Sequence, residues 1–347
     1  MDTSKAEKIA SFNVNDPGVN NGNLFGLPFN YEESEVIVLP VPWEVTVSYN
    51  AGTAKGPQAM LEASLQVDLF DADLPDAWQH GIYMMGVSET WKTKSKQLRL
   101  QAQEHFRMLE SGVSEGSTEA QKKINEATDD LRKWVFEQTK TFLDKGKLVI
   151  LAGGDHSTPL GYMQALSTKH ESFGILQIDA HADLRNSYEG FTHSHASIMF
   201  NAIQNDGISH LVQVGLRDVC QEEIDLINTN NKIKAFFYSD IQNSIYSGQT
   251  WKKVSSEIVE ALPEYVYLSI DIDGLDPKYC PNTGTPVPGG LELEQLFFLV
   301  RELIKSGRKI IGFDLVEVTP GQDEWDANVG IRLLYKICNL MIKSNMQ

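Results

Sequence analysis

At 347 residues the chain can bury a large core, and its apolar and charged fractions, 41% and 22%, are those of a globular protein and exclude a disordered or fibrous one. A formal charge of −17 argues against nucleic acid and anionic membrane surfaces as partners, because both demand basic patches. Three cysteines, Cys220, Cys280 and Cys338, are too few and too scattered for a disulfide framework or a CxxC zinc site, so a reducing compartment with inert thiols is expected.

The amino terminus, MDTSKAEKIASF, lacks the apolar centre of a signal peptide, and no run reaches transmembrane length, which makes the cytoplasm the expected location. Residues 1–34 are rich in Asn, Asp, Gly and Pro without a sustained period and read as an irregular arm, of a kind that often packs on a neighbouring subunit; 35–347 read as one domain. Eight apolar runs of strand type follow, at 36–39, 82–85, 148–151, 173–178, 211–214, 233–238, 265–270 and 309–313. Stretches with helical spacing lie among them, at 56–65, 94–109, 119–143, 158–166, 195–204, 221–227, 250–262, 293–305 and 324–342. GVSEGSTE at 112–119 separates two charged amphipathic helices and reads as a surface turn. Alternation of strands and helices predicts parallel crossovers and a doubly wound α/β sheet.

Ligands of such sheets bind beyond the carboxyl ends of the strands, so chemistry should collect just after the apolar runs. It does. Run 148–151 leads into AGGDHS and His156; run 173–178 leads into Asp179, His181 and Asp183 at alternate positions; SIDIDGLDP brings Asp271 and Asp273 two residues apart; run 309–313 leads into Asp314 and Glu317. Singly, each has a bland explanation: a hydrogen-bonded structural histidine, a turn former before Gly274, a surface acid. Jointly, two imidazoles and four carboxylates beside an apolar core carry a desolvation cost that a bound cation repays. The set is oxygen-rich and unlike the thiolates of structural zinc, and it suits Mn or a similar first-row divalent ion. Six ligands exceed the needs of one ion with open positions, so two ions about 3.5 Å apart account for them better.

GGDHS at 153–157, DAHAD at 179–183 and SIDIDGLDP at 269–277 resemble the three signature motifs of the ureohydrolase family, which includes arginase, agmatinase, guanidinobutyrase and guanidinase. The likeness extends through GTPVPGGL at 284–291, DLVEVTP at 314–320 and the early loop PVPWEVTVSYNAGTAKGP at 40–57; YEGFTHSHASIM resembles the agmatinase branch best, while the early loop and the ending DEWDANVGIRLLYKI look more like guanidinase-type members. It implies a three-layer α/β/α fold around an eight-stranded parallel sheet, assembled as a trimer or hexamer. It also implies two divalent ions, Mn most commonly with Ni accepting the same donors: His156, Asp179, Asp183 and Asp271 around one, and Asp179, His181, Asp271 and Asp273 around the other. By the same resemblance Glu317 pairs with a substrate guanidinium, Asp183 helps to steady the tetrahedral intermediate, and His195 protonates the departing nitrogen, with His193 a second candidate in FTHSHASIMF.

The reaction so implied is hydrolysis of a guanidinium C–N bond with release of urea. The chain departs from common patterns where the family reads the substrate's tail: Leu184, Arg185 and Asn186 follow Asp183, and the early loop reads WEVTVSYNAGTAKGP. Trp43, Thr46, Tyr49, Trp251 and Trp325 supply bulk that would narrow a pocket, so guanidine or a short alkyl guanidine is the expected substrate. Agmatine and guanidinobutyrate are the alternatives. Arg185, His193, Trp43 and Thr46 are the expected tail-contacting residues. The rival of another class is a metal-bound partner subunit that does no chemistry; an intact ligand set together with Glu317 and His195 weighs against it.

Overall fold

The computed structural model describes residues 4–112 and 118–346. Its centre is one sheet of eight parallel strands: β1 (Val36–Val41), β2 (Ile82–Met84), β3 (Leu148–Gly153), β4 (Phe173–Ile178), β5 (Ile208–Leu216), β6 (Ile233–Phe237), β7 (Tyr265–Asp271) and β8 (Lys309–Val316), in the order β2-β1-β3-β8-β7-β4-β5-β6. All eight predicted runs are strands. The helices are α1 (Lys5–Ser11), α2 (Gly56–Ala63), α3 (Glu89–Glu110), α4 (Glu119–Asp144), α5 (Leu160–Leu166), α6 (Ile198–Ala202), α7 (Gln221–Thr229), α8 (Tyr238–Tyr246), α9 (Trp251–Glu260), α10 (Leu293–Lys305) and α11 (Trp325–Asn345).

Alternate residues of each strand feed opposite cores, as the two-residue period requires. Val36, Val38, Ile150, Leu176 and Leu268 pack with α2, α9, α10 and α11, while Ile37, Leu39, Val149, Leu151 and Ile175 pack with α3, α4, α5 and α6. Burial on both faces explains why these strands read as continuous apolar runs. The four strands that end in ionisable residues, β3, β8, β7 and β4, are neighbours at the middle of the sheet. Chain order does not show this, because β7 and β8 enter last and fill the space between β3 and β4.

Three features differ from expectation. The arm is not irregular throughout: Ser4 and Glu7 form a capping box that starts α1, with Ser4 N donating to Glu7 Oε2 at 2.8 Å. Nor does it only await a neighbour. Leu24, Phe25, Leu27 and Phe29 are buried in this chain's own core, and Asn23 binds the Ile82 carbonyl and the Met84 N–H, covering the free side of edge strand β2. Helix α8 was missed because it is short and buries Ile241 alone. The turn expected at 112–119 lies mostly outside the described residues. Among the described residues no helix is long and apolar enough to cross a membrane.

Candidate metal centre

The centre begins where β3 meets the early loop. Gly154 N donates to Val41 O at 2.9 Å and Asp155 N to Trp43 O at 2.8 Å, so the chain after β3 is pinned against 41–43. A Cβ on Gly154 would lie 1.8 Å from Trp43 O; this glycine is required for close approach, not for a positive φ. Pinning the turn sets His156, 1% exposed, with Nδ1 2.9 Å from Asp183 Oδ2, 3.0 Å from Asp179 Oδ2 and 3.3 Å from Asp271 Oδ2.

The other ring nitrogen determines the tautomer. His156 Nε2 lies 2.9 Å from Ser269 Oγ, and that hydroxyl donates to Asp314 Oδ1 at 3.2 Å. With the Ser269 proton committed to Asp314, Nε2 carries a ring hydrogen and Nδ1 is the nitrogen turned toward three carboxylate oxygens; burial lowers the ring's pKa, but Asp179, Asp183 and Asp271 outweigh it and hold it well above the usual histidine range. Nδ1 has no hydrogen-bond partner. A divalent cation at the common point of Nδ1 and these oxygens would take the place of the Nδ1 proton and bring more positive charge to the crowded carboxylates.

A second group adjoins the first. His181 Nδ1 lies 3.1 Å from Asp273 Oδ2 and 3.5 Å from Asp179 Oδ1. His156, Asp179 and Asp183 form one set of mutually close donors; Asp179, His181 and Asp273 form another, so Asp179 is common to both. The carboxylates are themselves oriented. Gln177 Nε2 donates to Asp179 Oδ2 at 2.7 Å, His181 N to Asp179 Oδ1 at 2.7 Å, Asp273 N to Asp271 Oδ1 at 2.9 Å, and Ala180 N to Asp273 Oδ1 at 3.1 Å.

Electrostatics point the same way. Burial, followed by the charge of Asp179, pushes the Asp183 carboxyl up to about 7. Burial, then Asp273 and Asp179, holds Asp271 well above the usual carboxylate range; burial and then Asp271 do the same to Glu317. Divalent cations are the direct remedy for such crowding, and hard oxygen donors with two imidazoles fit them. Asp183 (φ 55°) and Glu317 (φ 61°) both occupy the left-handed backbone region, a strain that surrounding structure must maintain and that concentrates at functional sites.

Beside the two sets lies a cavity of about 270 Å³ whose walls include Ser48, His181, Asp183, Arg185, Tyr188, His195, Asp218 and Thr285. His195 stands in the wall, its Nδ1 buried and unpartnered; burial, reinforced by His181 and His156, pushes its pKa down to about 3, so the ring is neutral at ordinary pH. Tyr188 packs edge-on against His195 at 5.7 Å, and the Arg185 guanidinium lies 5.0 Å from the Tyr188 ring centre. Tyr188 was missed from sequence although its signal was present. In YEGF, Glu189 and Gly190 both have positive φ and make a two-residue turn that pairs Tyr188 with Phe191.

Other expectations about the pocket are corrected. Trp43 is fully buried, edge-on to Trp91 at 5.9 Å, and does not line the cavity. Thr46 is also fully buried, and its Oγ1 accepts from His195 N at 3.4 Å. His193 is turned away from the wall that carries His195: its Nε2 lies 3.9 Å from Asp129 Oδ1 on α4. Trp251 and Trp325 donate to the carbonyls of Gln295 and Lys278, and Tyr49 is 72% exposed; none of the three lines the cavity, whose large wall residues include Tyr188 and Arg185 instead. Glu317 is 4% exposed and is not part of the wall. Its Oε1 accepts from His156 N at 2.9 Å, while Oε2 has no partner.

A cluster of this composition at the carboxyl ends of the central strands marks a parallel-sheet α/β protein with a candidate divalent-metal centre. Residues 34–339 match the model of the arginase family, and the chain belongs to that family of ureohydrolases. It is 31% identical over 294 residues to an N(1)-aminopropylagmatine ureohydrolase of Synechocystis sp., covering 84% of this chain and 83% of that protein. It is 26% identical over 297 residues to an agmatinase of Bacillus anthracis, covering 86% and 88%. Among solved structures, the agmatine ureohydrolase of Thermoplasma volcanium superposes with a TM-score of 0.71 at 22% identity over 98% of this chain and 99% of that one. An arginase from Bacillus subtilis superposes with a TM-score of 0.64 at 19% identity over 89% and 98%. The three-layer arginase-like fold and the hydrolase class stand on these matches.

Proposed function

We propose that this chain releases urea from a compact guanidino compound, guanidine or a short alkyl guanidine, using two divalent ions held by His156, Asp179, Asp183, Asp271, His181 and Asp273. The observation that carries the substrate reading is Arg185 in the cavity wall. A substrate whose guanidinium faces the ligand cluster would turn its tail toward this second guanidinium. An ammonium tail meets like charge there, a carboxylate tail would meet opposite charge, and a tail-free or neutral-tailed substrate meets neither. Size agrees, since about 270 Å³ is below the roughly 300–1,000 Å³ of pockets for drug-sized ligands.

When bound, a pair of such ions lowers the pKa of water toward neutrality and adds positive charge beside the reacting carbon. Mn suits the donors, and Ni accepts them with higher intrinsic affinity. The remaining tasks fall to protein groups. Glu317, with a free Oε2, matches the planar donor fork of a guanidinium and would orient it. The neutral His195 ring must gain a proton before giving one, so it would take a proton released during attack and pass it to the departing nitrogen. Asp183 would accept from an N–H of the tetrahedral carbon's substituents. Tyr188, edge-on to His195 at 5.7 Å, would help to hold the ring's orientation in the wall.

A second reading is favoured by one observation. Asp218, on the cavity wall and 69% exposed, would accept an ammonium, and the relatives above are named for agmatine-type substrates. The two readings separate in one experiment: urea release from guanidine, methylguanidine, agmatine and 4-guanidinobutyrate by Mn-loaded and Ni-loaded protein. Highest kcat/KM on guanidine or methylguanidine supports the proposal. Highest kcat/KM on agmatine overturns it in favour of the second reading, highest kcat/KM on 4-guanidinobutyrate overturns it in favour of a carboxylate tail paired with Arg185, and no urea from any compound removes the catalytic assignment altogether.

A further inference from the structure

Arg99 projects from α3 into the core and is 8% exposed, yet among the described residues no carboxylate forms a salt bridge with it. Its Nη1 donates instead to the backbone carbonyls of Val45 (3.2 Å) and Val47, and its Nε has no partner. A buried guanidinium spent on two main-chain oxygens of one loop is a costly device unless that loop must be held in place. The loop is 43–54, between β1 and α2, and α3 grips it twice: Glu44 N also donates to Ser95 Oγ at 3.1 Å. Within the loop, Glu44 Oε2 accepts from Gly52 N at 2.6 Å and Ala54 N at 3.2 Å, closing it on itself.

The loop reaches both sides of the site. Thr46, between the two carbonyls that Arg99 holds, accepts from the backbone N–H of His195. Ser48, one residue beyond Val47, lines the cavity. Asn50 N donates to Gly284 O at 3.1 Å and its side chain to Thr283 O at 3.4 Å, while Thr283 Oγ1 donates to the Glu317 carbonyl at 2.9 Å. One anchored segment thus connects to the backbone of the histidine in the wall and to that of Glu317, the residue after β8.

We propose that Arg99 is a positioning residue: by fixing the Val45 and Val47 carbonyls it sets the early loop, and through Thr46 and Asn50 it sets His195 and Glu317 relative to each other. The inference rests on the reading above that His195 and Glu317 act on the substrate. Arg99 touches no metal-ligating side chain, and the carbonyls it holds, Val45 and Val47, lie beyond the Trp43 carbonyl that pins the His156 turn, so the ligand cluster is expected to survive its loss.

The test compares metal-loaded wild type with Arg99→Met, Arg99→Lys and His195→Asn, measuring bound metal, Tm, kcat and KM on the best substrate of the panel. Arg99→Met is expected to keep its metal and to lose about tenfold to a hundredfold in kcat per metal-loaded site, the scale of a misplaced catalytic group. Arg99→Lys, able to reach the same carbonyls, recovers a large part of that loss. Arg99→Met costs less when added to His195→Asn than in the wild type, because part of its effect runs through His195, and an undiminished cost overturns the link through Thr46. Wild-type kcat in metal-loaded Arg99→Met overturns the proposal, whatever happens to Tm. If Arg99→Met does not fold, Thr46→Ala reads the same link from its other end: reduced kcat supports the proposal and unchanged kcat overturns it. Failure of the underlying reading looks different, since His195→Asn would then be fully active.

Discussion

His156 Nε2 and Ser269 Oγ are 2.9 Å apart, and this contact between the ends of β3 and β7 decides which histidine nitrogen faces the carboxylates. Ser269→Ala would free the ring to rotate or change tautomer and would leave Asp314 short of a donor. Divalent-metal affinity is expected to fall about 10- to 100-fold, the usual cost of losing a group that orients a ligand, measured by calorimetric titration of metal-free protein. Unchanged affinity would show that packing alone holds the ring.

Asp271→Ala removes a carboxylate 3.3 Å from His156 Nδ1 whose other oxygen orients Asp273. Metal occupancy and turnover should be lost together, read by elemental analysis and urea release. Near-normal turnover would sink the six-residue ligand set.

Gly154→Ala places a methyl carbon 1.8 Å from the Trp43 carbonyl, a backbone atom that cannot swing aside. A destabilisation of about 1–3 kcal/mol is expected from the forced backbone shift, with a fall in urea release because His156 follows two residues later. Wild-type denaturant midpoint and activity would contradict the close-approach role.

Arg185→Ala removes the positive charge from the cavity wall. The ratio of kcat/KM for agmatine over guanidine should rise about five- to tenfold, since one like-charge contact with the ammonium tail disappears. A ratio that stays constant or falls would mean that the tail lies elsewhere.

Acid stability depends on a site far from the metal cluster. Burial raises the Asp73 carboxyl, but hydrogen bonds from Lys336 and Arg301 outweigh it and bring the pKa from 3.8 down to about 2. A carboxylate held below its unfolded value stabilises the fold above pH 4 and loses that contribution as pH falls toward 2. Its full effect is roughly 2 kcal/mol, which partial solvent screening reduces to about 1 kcal/mol. Asp73→Asn should therefore lower the urea midpoint at pH 7, and its difference from wild type should shrink between pH 4 and pH 2. A difference independent of pH over that window would show that the ion pairs with Lys336 and Arg301 contribute nothing.

The eight strands and the ionisable clusters at their ends could be read from sequence because both are local. A strand buried on two faces is an apolar run, and Asp179, His181 and Asp183 follow one directly, their alternation legible in the text itself. Only the tertiary structure decided the rest. That β3, β8, β7 and β4 are adjacent depends on β7 and β8 filling a gap left earlier in the chain. Which loop side chains face the cavity depends on contacts made at long range. Trp43 and Thr46 turn inward against α3 and the His195 backbone, His193 turns toward Asp129, and Tyr188 reaches the cavity on a tight turn. Arg99 carries no chemical motif; it lies in a charged amphipathic helix where arginine is expected on the solvent face. Its burial over the carbonyls of a loop some fifty residues earlier is set by packing between elements, which local sequence pattern does not encode.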